Sequence, residues 1–109
     1  MLTITIRFHV RPEWRDTWLD LVAEFTEATR AEESNAWFWW SRSVDDPCVF
    51  YLLEGHREAG VAAHLASPLI GKIQREWPQA LVSTPTAIRT TVPGDGWHPM
   101  DDLLPVPAH

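Results

Sequence analysis

Cysteine is almost missing from this sequence: Cys48 stands alone among 109 residues, so no disulfide can close within the chain. No helix N-terminus or fixed base accompanies it in the pattern, which argues against a catalytic thiol, and its place beside a turn predicts exposure. Cations are scarce as well. Nine Lys and Arg against 15 Asp and Glu leave a net charge of −6. They are scattered, so no basic patch exists to neutralise nucleic-acid phosphates or to hold an anionic membrane surface. No apolar run approaches the roughly 20 residues that cross a bilayer, and no signal-peptide pattern is visible, so a cytoplasmic protein is expected. The five glycines form neither a phosphate loop nor a dinucleotide fingerprint, and no Ser-His-Asp pattern occurs. His9, His56, His64, His98 and His109 lack ligand spacing, so no metal is expected. The one conceivable cluster joins His9, His56 and Glu54, on the expectation that both histidines sit near the ends of adjacent strands.

Tryptophan, in contrast, is abundant: seven residues, three of them within Trp37–Trp40. Two runs rich in aromatic and β-branched residues flank Asp45-Asp46-Pro47, a turn signal, so Asn35 to His56 reads as a β-hairpin. Centring the turn there pairs Phe38 with Glu54, Trp40 with Leu52 and Arg42 with Phe50. Alternation then places Phe38, Trp40, Arg42, Phe50, Leu52, Glu54 and His56 on one face. Trp37, Trp39, Ser41, Tyr51 and Leu53 take the other. Both faces are largely apolar, so both need a cover, and in a chain this short the second cover is most simply another copy.

Leu2 to Val10 alternates strictly, with Leu2, Ile4, Ile6, Phe8 and Val10 on one side, and reads as the first strand. From Glu13 to about Arg30, Trp14, Trp18, Leu21, Phe25 and Ala28 recur at helical steps, which predicts one amphipathic helix. Trp14, Trp18 and Trp77 are expected to pack in the core. Arg57 to Ala66 reads as a short helix. Ser67-Pro68 suits the cap and first residue of another, lined by Leu69, Ile70, Ile73 and Trp77 and stopped by Pro78. Pro85 to Val92 is the last strand. Residues 1–93 are expected to form the domain, and 94–109 a tail with Trp97, Met100, Leu103 and Leu104 as anchors, docked on the domain or on a partner subunit.

The order strand, helix, strand, strand, helix, strand predicts an α+β, ferredoxin-like βαββαβ fold: a four-stranded antiparallel sheet with two helices on one face.

Four stretches carry a family resemblance: Phe38-x-Trp40-Ser-Arg42-Ser-x-Asp-Asp-Pro47, Tyr51-Leu-Leu-Glu54, Ala63-His64-x-x-Ser67 and Gly94-x-Gly96-Trp97. Together they resemble the antibiotic biosynthesis monooxygenase family, and within it the small quinol-monooxygenase-like members. The resemblance runs from the first strand to Trp97. It implies a homodimer of the dimeric α+β barrel kind and a cavity between sheet and helices. It also implies oxygenation of a small phenolic or quinol-like aromatic compound by dioxygen without metal or flavin. This chain departs by carrying His56 where such proteins commonly place Trp or Phe. The related haem-degrading branch is matched only at His64.

His64 is then the leading catalytic candidate, a general base for a phenolic proton at an inward helix edge. Left to itself, a histidine there is more often a satisfied, partly buried side chain or a solvent-facing one. His56 and Trp40 join it as candidate catalytic residues. Phe38, Arg42, Leu52, Glu54, Ile6 and Phe8 are the candidate substrate-binding residues. Glu54 and His56 share a strand face and can form a hydrogen-bonded pair; Arg42 or His56 is the natural partner of a buried Glu54, and a structural ion pair is a more natural role for it than an acid–base one. Two other readings stay open: an isomerase, cyclase or decarboxylase on the same scaffold, and a non-catalytic aromatic-ligand-binding protein.

Overall fold

The computed structural model describes residues 1–57 and 67–108. Strand β1 is Leu2–His9, and Val10 continues its inward phase by bridging Leu81. Pro12, fixed in φ and lacking an N–H, opens a short 3-10 turn, Pro12–Trp14, instead of a long helix. The helical run continues as α1 (Trp18–Leu21) and α2 (Ala23–Arg30), so the single helix expected from Glu13 to Arg30 comes in three pieces. Val22, at φ −91° and ψ 0°, marks the joint. Thr26 loads its carbonyl twice, donating from both its hydroxyl (2.8 Å) and its N–H (3.0 Å), a pattern that bends helices. The bend keeps Trp18 and Val22, both fully buried, against the twisted sheet.

Strands β2 (Asn35–Arg42) and β3 (Val49–His56) form the hairpin in the expected register: Phe38 opposite Glu54, Trp40 opposite Leu52, Arg42 opposite Phe50. The turn is held by local bonds, with the Ser43 hydroxyl accepting from the N–H groups of Asp45 and Asp46. Cys48 is buried rather than exposed. Its carbonyl accepts from Val10 N–H at 2.8 Å, which draws the end of the turn against β1.

Ser67 caps helix α3 (Pro68–Glu76) by accepting from Leu69 N–H, and Pro68 is its first residue. A 3-10 turn, Trp77–Ala80, follows where Pro78 removes a donor. Strand β4 is Thr86–Thr91, one residue shorter at each end than expected. The helix expected over Arg57 to Ala66 falls, from residue 58 on, outside the described residues.

The sheet order is β2-β3-β1-β4, antiparallel throughout, with helices on one face: the ferredoxin-like α+β fold. The inner face carries the core. Phe8, Trp18, Phe25, Phe38, Phe50 and Trp77 pack there, with ring centroids 5.3 Å apart for Phe8 and Trp18 and 5.6 Å for Trp18 and Trp77. On the outer face the Trp37 indole lies across Gly55, where a Cβ would overlap the ring. Trp97 reaches back onto Trp37 and Trp39, at 5.4 and 5.7 Å between centroids. Gly94 and Gly96 make that return, both at positive φ. Beyond Trp97 the tail leaves Met100, Leu103, Leu104 and Val106 exposed. Among the described residues no helix is long and apolar enough to cross a membrane.

Candidate functional site

The register of β1 with its two neighbours sets three rows across the inner face. Leu52, Ile6 and Ala87 form one; Glu54, Ile4 and Arg89 the next; His56, Leu2 and Thr91 the last. Antiparallel partners point to the same side. Over these rows lies a cavity of about 310 Å³, within the range of small-molecule sites, which begins near 300 Å³. Its floor is Leu2, Ile4, Ile6 and Leu52; its roof is Phe25 from α2 with Ile70, Ile73 and Trp77 from α3 and the turn after it. Glu54 and His56 close one side and Arg89 stands at the other.

Glu54 and His56 are two apart on β3, hence on one face, and His56 Nε2 lies 2.8 Å from Glu54 Oε1. Both are buried, at 5% and 1% exposure. A carboxylate so placed loses water and needs a donor, and the imidazole supplies it. An ionised carboxylate only accepts, so when Glu54 is ionised the donor in this contact is His56 Nε2. The pair stands at the wall of an apolar chamber.

Of the remaining sequence candidates, Ile6 and Leu52 line this cavity. Phe38 and Phe8 belong to the packed core, at 1% and 3% exposure, beside the cavity and not in its lining. Trp40 and Arg42 stand nearer the hairpin turn, on a separate depression of about 190 Å³ shared with Arg15, Asp16, Leu19, Ser41 and Phe50. Trp40 Nε1 donates to Thr26 Oγ1 at 2.8 Å. Arg42 is held by the carbonyls of Pro47 and Arg15, at 2.7 and 2.8 Å, with its guanidinium over the Phe50 ring. His64 lies outside the described residues.

The cluster of His9, His56 and Glu54 does not form. In the antiparallel register His9 faces Val49 while His56 faces Leu2, at opposite ends of β1. Among the described residues no group of His, Cys, Asp and Glu is arranged to hold a metal ion.

Arg89 went unrecognised in the sequence. Its signal was the alternation of the last strand, in which Ala87, Arg89 and Thr91 share a phase and Arg89 is the one charge on it. Away from the cavity, Lys72 of α3 reaches Glu24 of α2 at 2.6 Å. The hydrogen bond and charge of Glu24 raise its pKa from the ordinary lysine value. This surface pair ties together the two helices that carry the roof.

These elements recur in known proteins. A crystal structure of an antibiotic biosynthesis monooxygenase shares 22% identity, with a TM-score of 0.74 over 84% of this chain and 98% of that one. A candidate antibiotic biosynthesis monooxygenase from Deinococcus radiodurans shares 18% identity at a TM-score of 0.79, over 92% and 99% of the two chains. Another from Nitrosomonas europaea shares 17% at 0.76, over 86% and 100%. At these identities the likenesses carry the fold and not the chemistry. No curated protein matches the chain. The sequence profile that does match spans residues 1–76, from β1 through α3, and so takes in the floor, the Glu54–His56 side and most of the roof. By that match the chain belongs to the antibiotic biosynthesis monooxygenase family.

Proposed function

We propose that the cavity binds a small phenolic or quinol-like aromatic molecule and that the protein oxidises it with dioxygen, without an added cofactor. The buried Glu54–His56 pair on the wall of an apolar chamber is the observation that carries the reading. A naphthol illustrates the balance. A base takes the phenolic proton, and the electron-rich anion passes an electron to dioxygen. The two radicals join at the ring carbon opposite the oxygen, and the O–O bond of the resulting peroxide then breaks. The ring carbon gives up its hydrogen as one oxygen atom stays as the new carbonyl, and the other oxygen leaves as water, which carries that hydrogen and the returned proton. The substrate supplies all four electrons. The protein binds, excludes water and moves the proton, and His56 held by Glu54 is equipped for the last task. His64, the base to which the sequence points, is tested beside it.

The same pair also suits a proton-shuffling isomerase or decarboxylase, and oxygen dependence separates the two. Oxygen uptake with hydroquinones and naphthols, no cofactor added, is measured for wild type, His56→Gln and His64→Ala. Oxygen-dependent turnover that falls at least about a hundredfold in His56→Gln is the expected result, the lower end of what a general base contributes. A full loss in His64→Ala with His56→Gln unchanged would move the base to His64. Turnover that persists without oxygen would replace the oxygenase with an isomerase.

The outer face, with Trp37, Trp39, Tyr51, Leu53 and Ile88, is proposed to meet a second copy of the chain. Trp39 and Ile88 are 47% and 72% exposed, and together with Trp97 they form an apolar surface of the kind monomers seldom leave open. Sedimentation of the wild type as a dimer, and of Trp39→Glu as a monomer, is the expected outcome. A monomeric wild type would refute it.

A further inference from the structure

The cavity has an asymmetry that proton transfer alone does not use. Glu54 and Arg89 both face Ile4, one from each neighbouring strand. Two strand spacings separate their backbones, about 10 Å. Between them lies a floor of aliphatic side chains. Arg89 is the one Lys or Arg among the described residues of the lining. Among the described residues no carboxylate lies within ion-pair distance of it. It stands on β4, which is exposed along its whole length, so its guanidinium sits at the open side of a chamber whose other side is buried.

From this we propose that the substrate is an aromatic hydroxy acid. Its hydroxyl enters toward Glu54 and His56, and its carboxylate stays at the open side, paired with Arg89. The proposal deepens the reading of the cavity given above and rests on it. A guanidinium presents parallel N–H donors that match the two oxygens of a carboxylate. In a chain of net charge −6 a cation that no carboxylate among the described residues neutralises also draws an anion against the overall field. A two-ring skeleton with its substituents at opposite ends suits a chamber whose two polar walls stand on strands about 10 Å apart. The competing account is that Arg89 only protects an edge strand, since charged side chains keep exposed edges from pairing with other chains. That account requires no ligand preference at all.

Calorimetric titration without oxygen, so that nothing turns over, decides between them. The probes are 6-hydroxy-2-naphthoic acid and its methyl ester, at neutral pH where the acid is ionised. For wild type the acid is expected to bind at least about tenfold more tightly than the ester, a preference that shrinks as salt is added. In Arg89→Gln the preference is expected to vanish while the ester binds as before, and Arg89→Lys is expected to keep part of it. Arg89 is exposed, so unchanged melting curves are expected to show all three proteins equally folded. Equal binding of acid and ester by wild type, or a preference that survives Arg89→Gln, overturns the proposal. Should the ester still be bound in that case while the hydroquinones and 1-naphthol consume oxygen, the oxygenase reading stands alone. An Arg89-dependent preference with no oxygen uptake from the hydroquinones and 1-naphthol leaves the anion subsite standing and removes the oxygenase. Failure of both probes to bind overturns both.

Discussion

The inner sheet face has two ends made from the same strands and filled in opposite ways. Toward the hairpin turn, Phe8, Phe50 and Trp40 meet Trp18 under α1, and the rings close on each other with centroids 5.2 to 6.2 Å apart. Toward the start of β1 the inward residues are Leu2, Ile4, Glu54 and His56, under Phe25, Ile70, Ile73 and Trp77, and a cavity remains. Aromatic side chains bury 150 to 250 Å² each and fill the space between layers, whereas aliphatic ones at the same spacing leave room. On the proposed function, the filled end serves stability and the hollow end serves chemistry.

The firmest way to break that division is at the filled end. Trp18 is fully buried and touches Phe8, Trp40, Phe50 and Trp77. Trp18→Ala removes the centre of this cluster, and about 3–5 kcal/mol of stability is expected to go with it. Thermal unfolding checks this: a midpoint lower by on the order of 15 °C or more is expected for a domain of this size. A shift of only a few degrees would mean that the aromatic end does not carry the fold.

Much of the fold was legible because its signals are local and repeated. Asp45 to Pro47 fixed the turn, and alternation then fixed the hairpin register and the face shared by Glu54 and His56. Ser67-Pro68 announced the start of α3 in the same way. The site was only partly legible, for a geometric reason. An eight-residue strand is about 27 Å long, and one face of β2 and β3 runs that whole length. Face alone therefore grouped Trp40 and Arg42 with Glu54 and His56, although they serve opposite ends. A hollow is also an absence. Nothing in Leu2 or Ile4 announces that no large side chain will come down on them, because that depends on α3 approaching from far along the chain. Arg89 was hidden for a related reason: it faces the cavity only once β4 has paired with β1, 85 residues away in sequence for Ile4 and Arg89. The burial of Cys48 likewise depends on a bond to β1, and the joint at Val22 on the bond from Thr26.

The smaller and sharper test is at the hollow end. Ile4 lies in the floor between Glu54 and Arg89, half-buried, with empty volume above it. Ile4→Phe would put a ring into that volume. In a packed core such an enlargement costs about 1–3 kcal/mol through strained rotamers and shifted backbone. Over a cavity the ring has somewhere to go, so a change within about 1 kcal/mol is expected, because the ring's own burial offsets the adjustment. Ligand binding is expected to suffer instead, since the ring occupies the place of the substrate's skeleton. Denaturant unfolding and calorimetric titration of the same variant separate the two quantities. A stable protein that no longer binds the naphthoate probes supports an end kept open for a ligand. A loss of about 3 kcal/mol would mean that the floor around Ile4 is as tightly packed as the ring cluster around Trp18, and the division between the two ends would fail.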